Sequence, residues 1–545
     1  MLATVLLFFI YGHLYAQKPA AQLARPKLVV GIVVDQMRWD YLYRYYDRYQ
    51  PGGFKRFLSE GFTCENTYID YVPTVTAIGH STVYTGSIPA IHGITGNDFY
   101  DEATGKSMYC AGDSTEQTVG SSSNAGKMSP RNLLVSTITD ELKLATNFRS
   151  KVIGIALKDR GGILPAGHTA DAAYWFDDPS GNWITSTYYM KQLPAWLVEF
   201  NNQKLPEKYL KQDWNLLYDP KTYVQSAPDE KGRYEGVYGK AGKPLFPIKT
   251  SEMINPKDWD LIRSTPYGNT LTLDLAKAAV DKEQLGSHAV TDFLAVSCSS
   301  TDYVGHKMGI NSIATEDIYL RLDRDLAAFF LYLDGKVGKG NYTVFLTADH
   351  GAAHNSNFLT DHNIPAGYFE SAGLQRSLND ALEKKYHTKS LVLSLSNSQV
   401  HLNNKAIAAG SLDEKAIRED LVTMMRKEPH ISFVVDNLNP DESGAPELVK
   451  IRIRNGFNFK RSGIITYVLE PGWYSGAASP GTGTTHGSWN SYDAHIPLVW
   501  MGWGIRHGAT NRPTGMIDIS ATLAALLHIQ EPNGCVGKPI EEVMK

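Results

Sequence analysis

The stretch Tyr342-Thr-Val-Phe-Leu-Thr347-Ala-Asp349-His350-Gly351 decides the fold: a run of β-branched and aromatic residues breaks off into an acid, an imidazole and a glycine. An apolar run of that length with no polar alternation suits a strand buried on both faces of a parallel sheet. Four other runs read the same way, Leu28 to Val34, Lys151 to Leu157, Asp292 to Ser297 and Ile496 to Trp503. Helical patterns lie between them, the clearest from Ile313 to Leu333 with apolar residues at helical spacing. Strands alternating with helices predict an α/β sandwich: a mostly parallel central sheet with helices on both faces. The first four runs all end on polar residues, at Asp35, Lys158-Asp-Arg160, Ser-Ser-Thr-Asp302 and Ala-Asp349-His350. Ligands of open α/β sheets bind outside the carboxyl ends of the strands, so these remote segments are expected to meet there.

Composition narrows the function. The 545 residues are 43% hydrophobic and 20% charged, as in ordinary globular proteins. A formal net charge of −4 without a long basic run gives no footprint for nucleic acid and favours small-molecule substrates. The apolar start, Met1 to Ile10 followed by Ala16-Gln17, is too short to span a bilayer and reads as a secretory signal over residues 1–17. The expected product is a soluble periplasmic or secreted monomer with one catalytic domain over residues 18–545. Two stretches interrupt the strand–helix pattern. One, near 172–265, is dense in Trp, Tyr, Pro and Lys and reads as an inserted cap; the other, near 371–465, reads as a small α+β insertion. Cys64, Cys110, Cys298 and Cys535 form no C-x-x-C pair, which argues against a cysteine metal site and leaves any disulfide pairing open.

The strand ends carry an inventory for metal. Zinc takes imidazole nitrogen and carboxylate oxygen, and two-metal hydrolases hold their ions roughly 3.5–4 Å apart. Asp302 and His306 are four apart and share a face if a helix begins there. Asp349 and His350 leave a strand together, Asp35 ends another, and His486 sits in a Gly/Thr loop before the last run. Taken singly, a strand-end Asp reads as a helix cap, the Asp–His pair as a surface pair and His486 as a loop residue. Their recurrence at successive strand ends favours a metal centre.

The nucleophile candidate is Thr76 in Val72-Pro73-Thr-Val-Thr76-Ala-Ile-Gly-His80. Ala77 to Thr85 has helix character, which places Thr76 at a helix N-terminus, a position that favours a phosphoryl anion. By itself Thr76 would be an N-cap and nothing more. Lys158 and Arg160 are two apart, so on an extended segment both would face one side as a cationic clamp. His80, His92, His168 and His354 are read as supporting or structural, and Asp493 and His495 take no ligand role.

Asp35 after its strand, Pro-Thr-Val-Thr76, Gly93-Ile-Thr-Gly-Asn97, Lys158-Asp-Arg160-Gly, Ser-Thr-Asp302-Tyr-Val-Gly-His306, Thr-Ala-Asp349-His350-Gly and Thr-Thr-His486-Gly together resemble the alkaline phosphatase superfamily, most closely its PafA-type phosphomonoesterases. The resemblance covers nearly the whole chain after the signal. It implies two Zn²⁺ ions, one on Asp302, His306 and His486 and the other on Asp35, Asp349, His350 and the Thr76 oxygen. It also implies that Asn97, Lys158 and Arg160 contact the phosphate and that hydrolysis proceeds through a phosphothreonine on Thr76. A phosphodiesterase or nucleotide pyrophosphatase of the same superfamily would share the metals and the threonine, but Lys158 and Arg160 suit a dianion better. A sulfatase would need a modified Cys or Ser, a phosphomutase would act inside the cell, and a non-catalytic zinc-containing binding protein would have no use for the nucleophile.

Overall fold

Residues 23–101, 104–227, 232–239, 246–475 and 481–545 are described in a computed structural model of the chain. The expected signal, residues 1–17, lies outside them. The apolar runs become the middle of a ten-stranded sheet. In chain order its strands are β1 (Leu28–Val34), β2 (Phe62–Cys64), β3 (Thr118–Val119), β4 (Val152–Ala156) and β5 (Ala172–Asp177). They continue with β6 (Asn182–Ser186), β7 (Asp292–Cys298), β8 (Tyr342–Thr347), β9 (Leu498–Gly502) and β10 (Gly508–Thr510). The spatial order is β10-β2-β9-β8-β1-β7-β4-β5-β6-β3.

The five central strands, β8-β1-β7-β4-β5, run parallel and are buried along their whole length. That burial requires cover on both faces, which explains why these runs lack polar alternation. The helices used below are α1 (Thr76–Thr85), α2 (Asp159–Ala166), α3 (Ser300–Met308), α4 (Ile313–Leu333) and α5 (Glu447–Gly456). α4 begins where the sequence pattern puts it, because Ser312 Oγ accepts from Thr315 N at 3.0 Å and satisfies a free N–H of the first turn. α2 can lie against the sheet because β4 has a glycine beneath it: a Cβ on Gly154 would stand 2.2 Å from Gly162 O.

Two expectations change. The run from Ile496 to Trp503 is not a parallel strand: it breaks at Pro497, and β9 pairs antiparallel with β8 and with β2. Interior antiparallel and parallel strands have the same continuous apolar signature, so direction is not written in the run. The stretch from 172 also does not open as an inserted cap. It opens as β5, parallel to β4, and returns antiparallel as β6. Trp175 and Trp183 are buried there, so the aromatic density that looked like a cap is core. Farther along, Trp214 is also buried, its Nε1 donating to Asp317 Oδ2 of α4 at 2.7 Å.

Between β8 and β9 the chain builds a four-stranded sheet in the order Val392–Ser394, Gln399–Leu402, Ile465–Leu469, Ile431–Asp436. Helices Ser371–Tyr386 and Glu414–Met425 cover a core of its own that includes Leu378, Leu421, Val434 and Tyr467. An apolar seam of Val72, Val435, Val449, Ile453 and Val468 joins this unit to the loop before Thr76. The seam is stitched by Val72 N donating to Arg452 O at 3.2 Å and Asn455 Nδ2 donating to Asp70 O at 2.7 Å. Cys64, Cys110, Cys298 and Cys535 are unpaired, and the first three are buried. Among the described residues no helix is long and apolar enough to cross a membrane.

Candidate active site

Four strand ends and two loops deliver the site. β1 ends one residue before Asp35, β7 leads into α3 with Asp302 and His306 on one face, and β8 ends at Thr347, just before Asp349 and His350. His306 Nε2 lies 3.1 Å from Asp302 Oδ1 across one helical turn, as the spacing predicted. The ligand atoms of Asp302, His350 and His486 all lie within 4.8 Å of one another, and so do those of Asp35, Asp349 and His350. His350 thus belongs to both groups, and its ring stacks on His486 with centroids 3.4 Å apart.

The hydrogen bonds of the three imidazoles define their chemistry. His306 Nδ1 bonds Thr484 O at 2.9 Å, His350 Nδ1 bonds Gly351 O at 3.0 Å, and His486 Nδ1 bonds Thr74 O at 2.7 Å. A carbonyl oxygen only accepts, so each Nδ1 carries a proton and each Nε2 is left to face the carboxylates. That is how metal-binding histidines are oriented. Burial opposes a charge on His306, but Asp302, within hydrogen-bond distance of its Nε2, raises its pKa. Burial lowers the His350 pKa to about 4, and it lowers His486 too, helped by the neighbouring His350 and His306. Both rings are held neutral, the form that ligates. Burial opposes ionisation of Asp302, but His306 and Lys158 outweigh it and hold this carboxyl well below its ordinary value. Asp349 is pushed the other way, by burial and then by the Asp35 charge. Asp35 Oδ1 and Asp349 Oδ2 are buried with no hydrogen-bond partner, a costly arrangement that a cation would relieve. The donor set and these orphaned oxygens fit a metal centre.

Thr76 is the first residue of α1, is 1% exposed, and stands 3.4 Å from His350 Nε2 and 3.5 Å from Lys158 Nζ. α1 can approach because of a second glycine: a Cβ on Gly79 would meet Asp349 O at 2.4 Å. Asn97 is beside it, its Oδ1 accepting from Ala77 N at 3.0 Å. Lys158 Nζ lies 2.6 Å from Asp35 Oδ2 and 2.6 Å from Asp302 Oδ2, bridging the two acidic groups. The expected extended Lys158-Asp-Arg160 segment is corrected. Lys158 is the N-cap of α2, and Asp159 and Arg160 are already helical, so the two cations do not share a strand face. Arg160 Nη1 lies 3.1 Å from Tyr109 Oη, which in turn donates to Asp159 Oδ1 at 2.5 Å.

Two participants, Gln36 and Tyr303, went unread in the sequence, while His80 was read as a supporting residue. Gln36 adopts a left-handed φ of 62° directly after Asp35; its N donates to Asp349 Oδ1 at 3.1 Å and its Nε2 to Asp302 Oδ1 at 2.7 Å. Its position next to Asp35 was the only signal. Tyr303 puts its ring 5.1 Å from Lys158 Nζ. His80 is fully buried, bonds Thr76 O at 2.9 Å and Ser297 Oγ at 2.8 Å, and is kept neutral by burial with a pKa lowered to about 4. His306, although beside Asp302, lies outside both ligand groups, and so do the remaining candidates. His354 bonds Asn311 Oδ1, His92 bonds Thr82, His168 bonds Val135 O, and His495 stacks between Trp39 and Tyr68. Asp493 anchors the His486 loop by accepting from Ser488 N at 2.8 Å and Ser488 Oγ at 2.6 Å.

Residues 29–492 match the family described as type I phosphodiesterase / nucleotide pyrophosphatase. The alkaline phosphatase PafA of Elizabethkingia meningoseptica is 51% identical over 534 residues, 98% of this chain and 97% of that protein. A Myroides odoratus protein named calcium-transporting ATPase is 56% identical over 540 residues, 99% of this chain and 97% of that one. The crystal structure of wild-type PafA superposes with a TM-score of 0.93 at 51% identity, covering 96% of this chain and 100% of that chain. The chain therefore belongs to the type I phosphodiesterase / nucleotide pyrophosphatase family of the alkaline phosphatase superfamily, and within it to the PafA-like alkaline phosphatases.

Proposed function

We propose that this alkaline phosphatase is a two-zinc phosphomonoesterase, exported as a monomer, that works through a covalent phosphothreonine on Thr76. The observation that carries the reading is the set of three imidazoles, each tied at Nδ1 to a backbone carbonyl and turned at Nε2 toward buried carboxylates beside Thr76. Asp302, His306 and His486 would hold one ion, and Asp35, Asp349, His350 and Thr76 Oγ1 the other. Bound there, zinc supplies the positive charge that favours an alkoxide at Thr76 and stabilises charge on the departing ester oxygen.

The chain's own residues supply the rest. The N-terminus of α1 presents the positive end of its helix dipole to an anion in contact with Thr76. Ala77 N occupies Asn97 Oδ1, which leaves the Asn97 Nδ2 amide as a donor to a nonbridging oxygen. Lys158 sets an ammonium near Thr76 Oγ1. Thr76 Oγ1 attacks phosphorus, the bond to the ester oxygen breaks, and the alcohol leaves. Water then attacks the phosphothreonine, freeing inorganic phosphate and restoring the hydroxyl. A diester presents one negative charge where a monoester presents two, so the Lys158 ammonium favours the monoester over the diesterase reading.

The test is rapid acid quench of turnover followed by peptide mapping. Phosphate should be found on Thr76, Thr76→Ser should keep part of the activity, and Thr76→Ala should abolish the covalent route. Phosphate on Thr74 or Ser81 instead would overturn the assignment.

A further inference from the structure

Between the catalytic sheet and the unit inserted between β8 and β9 lies a cavity of about 420 Å³, ordinary in size for a ligand pocket. It borders the candidate reaction centre: its wall includes Val75, the residue before Thr76, and His486. Trp473, Tyr474 and Gln375 of the inserted unit close the other side. Asn397, also in the wall, donates from Nδ2 to Asp98 O at 3.0 Å, one residue from Asn97. The inserted unit is therefore pinned to the segment that carries a phosphate-contacting candidate. The lining chemistry differs from that of the phosphate site. Aromatic, aliphatic, hydroxyl and amide groups make up most of it, Asp493 is its acid, and among the described residues no lysine or arginine contributes.

Resting on the phosphomonoesterase reading, we infer that this cavity is the subsite for the ester's alcohol and that it accepts a flat, neutral aromatic alcohol while disfavouring an anionic one. An aromatic ring gains by leaving water for aromatic and aliphatic walls. A carboxylate or a second phosphate entering the same space would lose its hydration with no cation to receive it. The inserted unit thereby sets leaving-group selectivity, while the strand ends bind the phosphoryl group common to every substrate.

The experiment compares parent and variants on methyl phosphate, which has nothing to place in the cavity, and on 2-naphthyl phosphate. Ala372 lines the cavity from the exposed start of helix Ser371–Tyr386, so Ala372→Trp should fill the space. Naphthyl kcat/KM should fall roughly tenfold or more, with methyl phosphate held within about twofold, the discrimination a pocket contact commonly supplies. Trp473→Leu removes a wall and should also lower the naphthyl value selectively, which keeps the test open if Ala372→Trp does not fold. In the parent enzyme 4-carboxyphenyl phosphate should turn over more slowly than phenyl phosphate, although its phenol is the better leaving group. Equal loss on both esters, no loss in either variant, or faster carboxyphenyl turnover would overturn the subsite. A parent that releases phosphate from none of these esters would instead sink the phosphomonoesterase reading.

Discussion

Lys158 Nζ touches one carboxylate from each acidic group and comes within 3.5 Å of Thr76 Oγ1. Burial works against its charge, yet Asp302 and Asp35 more than offset that and raise its pKa, so the ammonium is fixed. A fixed charge here stabilises a dianionic transition state more than a monoanionic one. Each charge-assisted contact in such a site contributes on the order of 2–4 kcal/mol, roughly 30- to 1000-fold in rate. Lys158→Ala combined with Arg160→Ala should therefore cut monoester kcat/KM by about a hundredfold or more and diester turnover much less. Metal content must be measured on the same preparation, because removing the ammonium also strips Asp35 and Asp302 of their counter-charge. Equal loss on both substrates with metal retained would mean that Lys158 and Arg160 do not set the preference.

At the scale of elements, the position of Thr76 depends on how closely α1 can lie on the strand ends. Gly79, one turn after Thr76, makes that approach possible. Two effects of Gly79→Ala oppose each other. Alanine is favoured over glycine inside a helix by about 0.8–1.0 kcal/mol. Its methyl group would meet Asp349 O at 2.4 Å, a backbone atom that cannot step aside. Overpacking of this kind costs about 1–3 kcal/mol, so the clash should win. The variant should lose stability in urea unfolding, and its kcat/KM should fall by more than the unfolded fraction explains, because α1 moves with Thr76 on it. Wild-type activity with raised stability would show that α1 is not held this tightly.

Across the whole molecule, the fold gathers Asp35, Asp302 and Asp349 into a buried centre from three strands that are neighbours in the sheet. Lys158 provides one positive charge against them. Ions that bind the folded centre stabilise the protein by mass action. A strong chelator should therefore abolish turnover and lower the melting temperature together, and zinc should restore both, to about two ions per chain. Full activity in a metal-free sample would end the two-metal reading.

The sequence by itself determined what depends on near neighbours. Continuous apolar runs marked β1, β4, β7 and β8, helical spacing marked α4, and the four-residue separation of Asp302 and His306 placed both on α3. These features survive because burial and helical geometry act within a few residues. Only the tertiary structure decided strand direction and partners. β9 turned antiparallel, and the aromatic stretch after 172 entered the central sheet, because pairing is set by contacts far along the chain. The same holds for Gln36 bridging Asp302 and Asp349, for Tyr109 bonding Arg160, and for the three backbone carbonyls that turn each Nε2 inward. A hydrogen bond depends on distance and direction in space, which a list of residues does not contain.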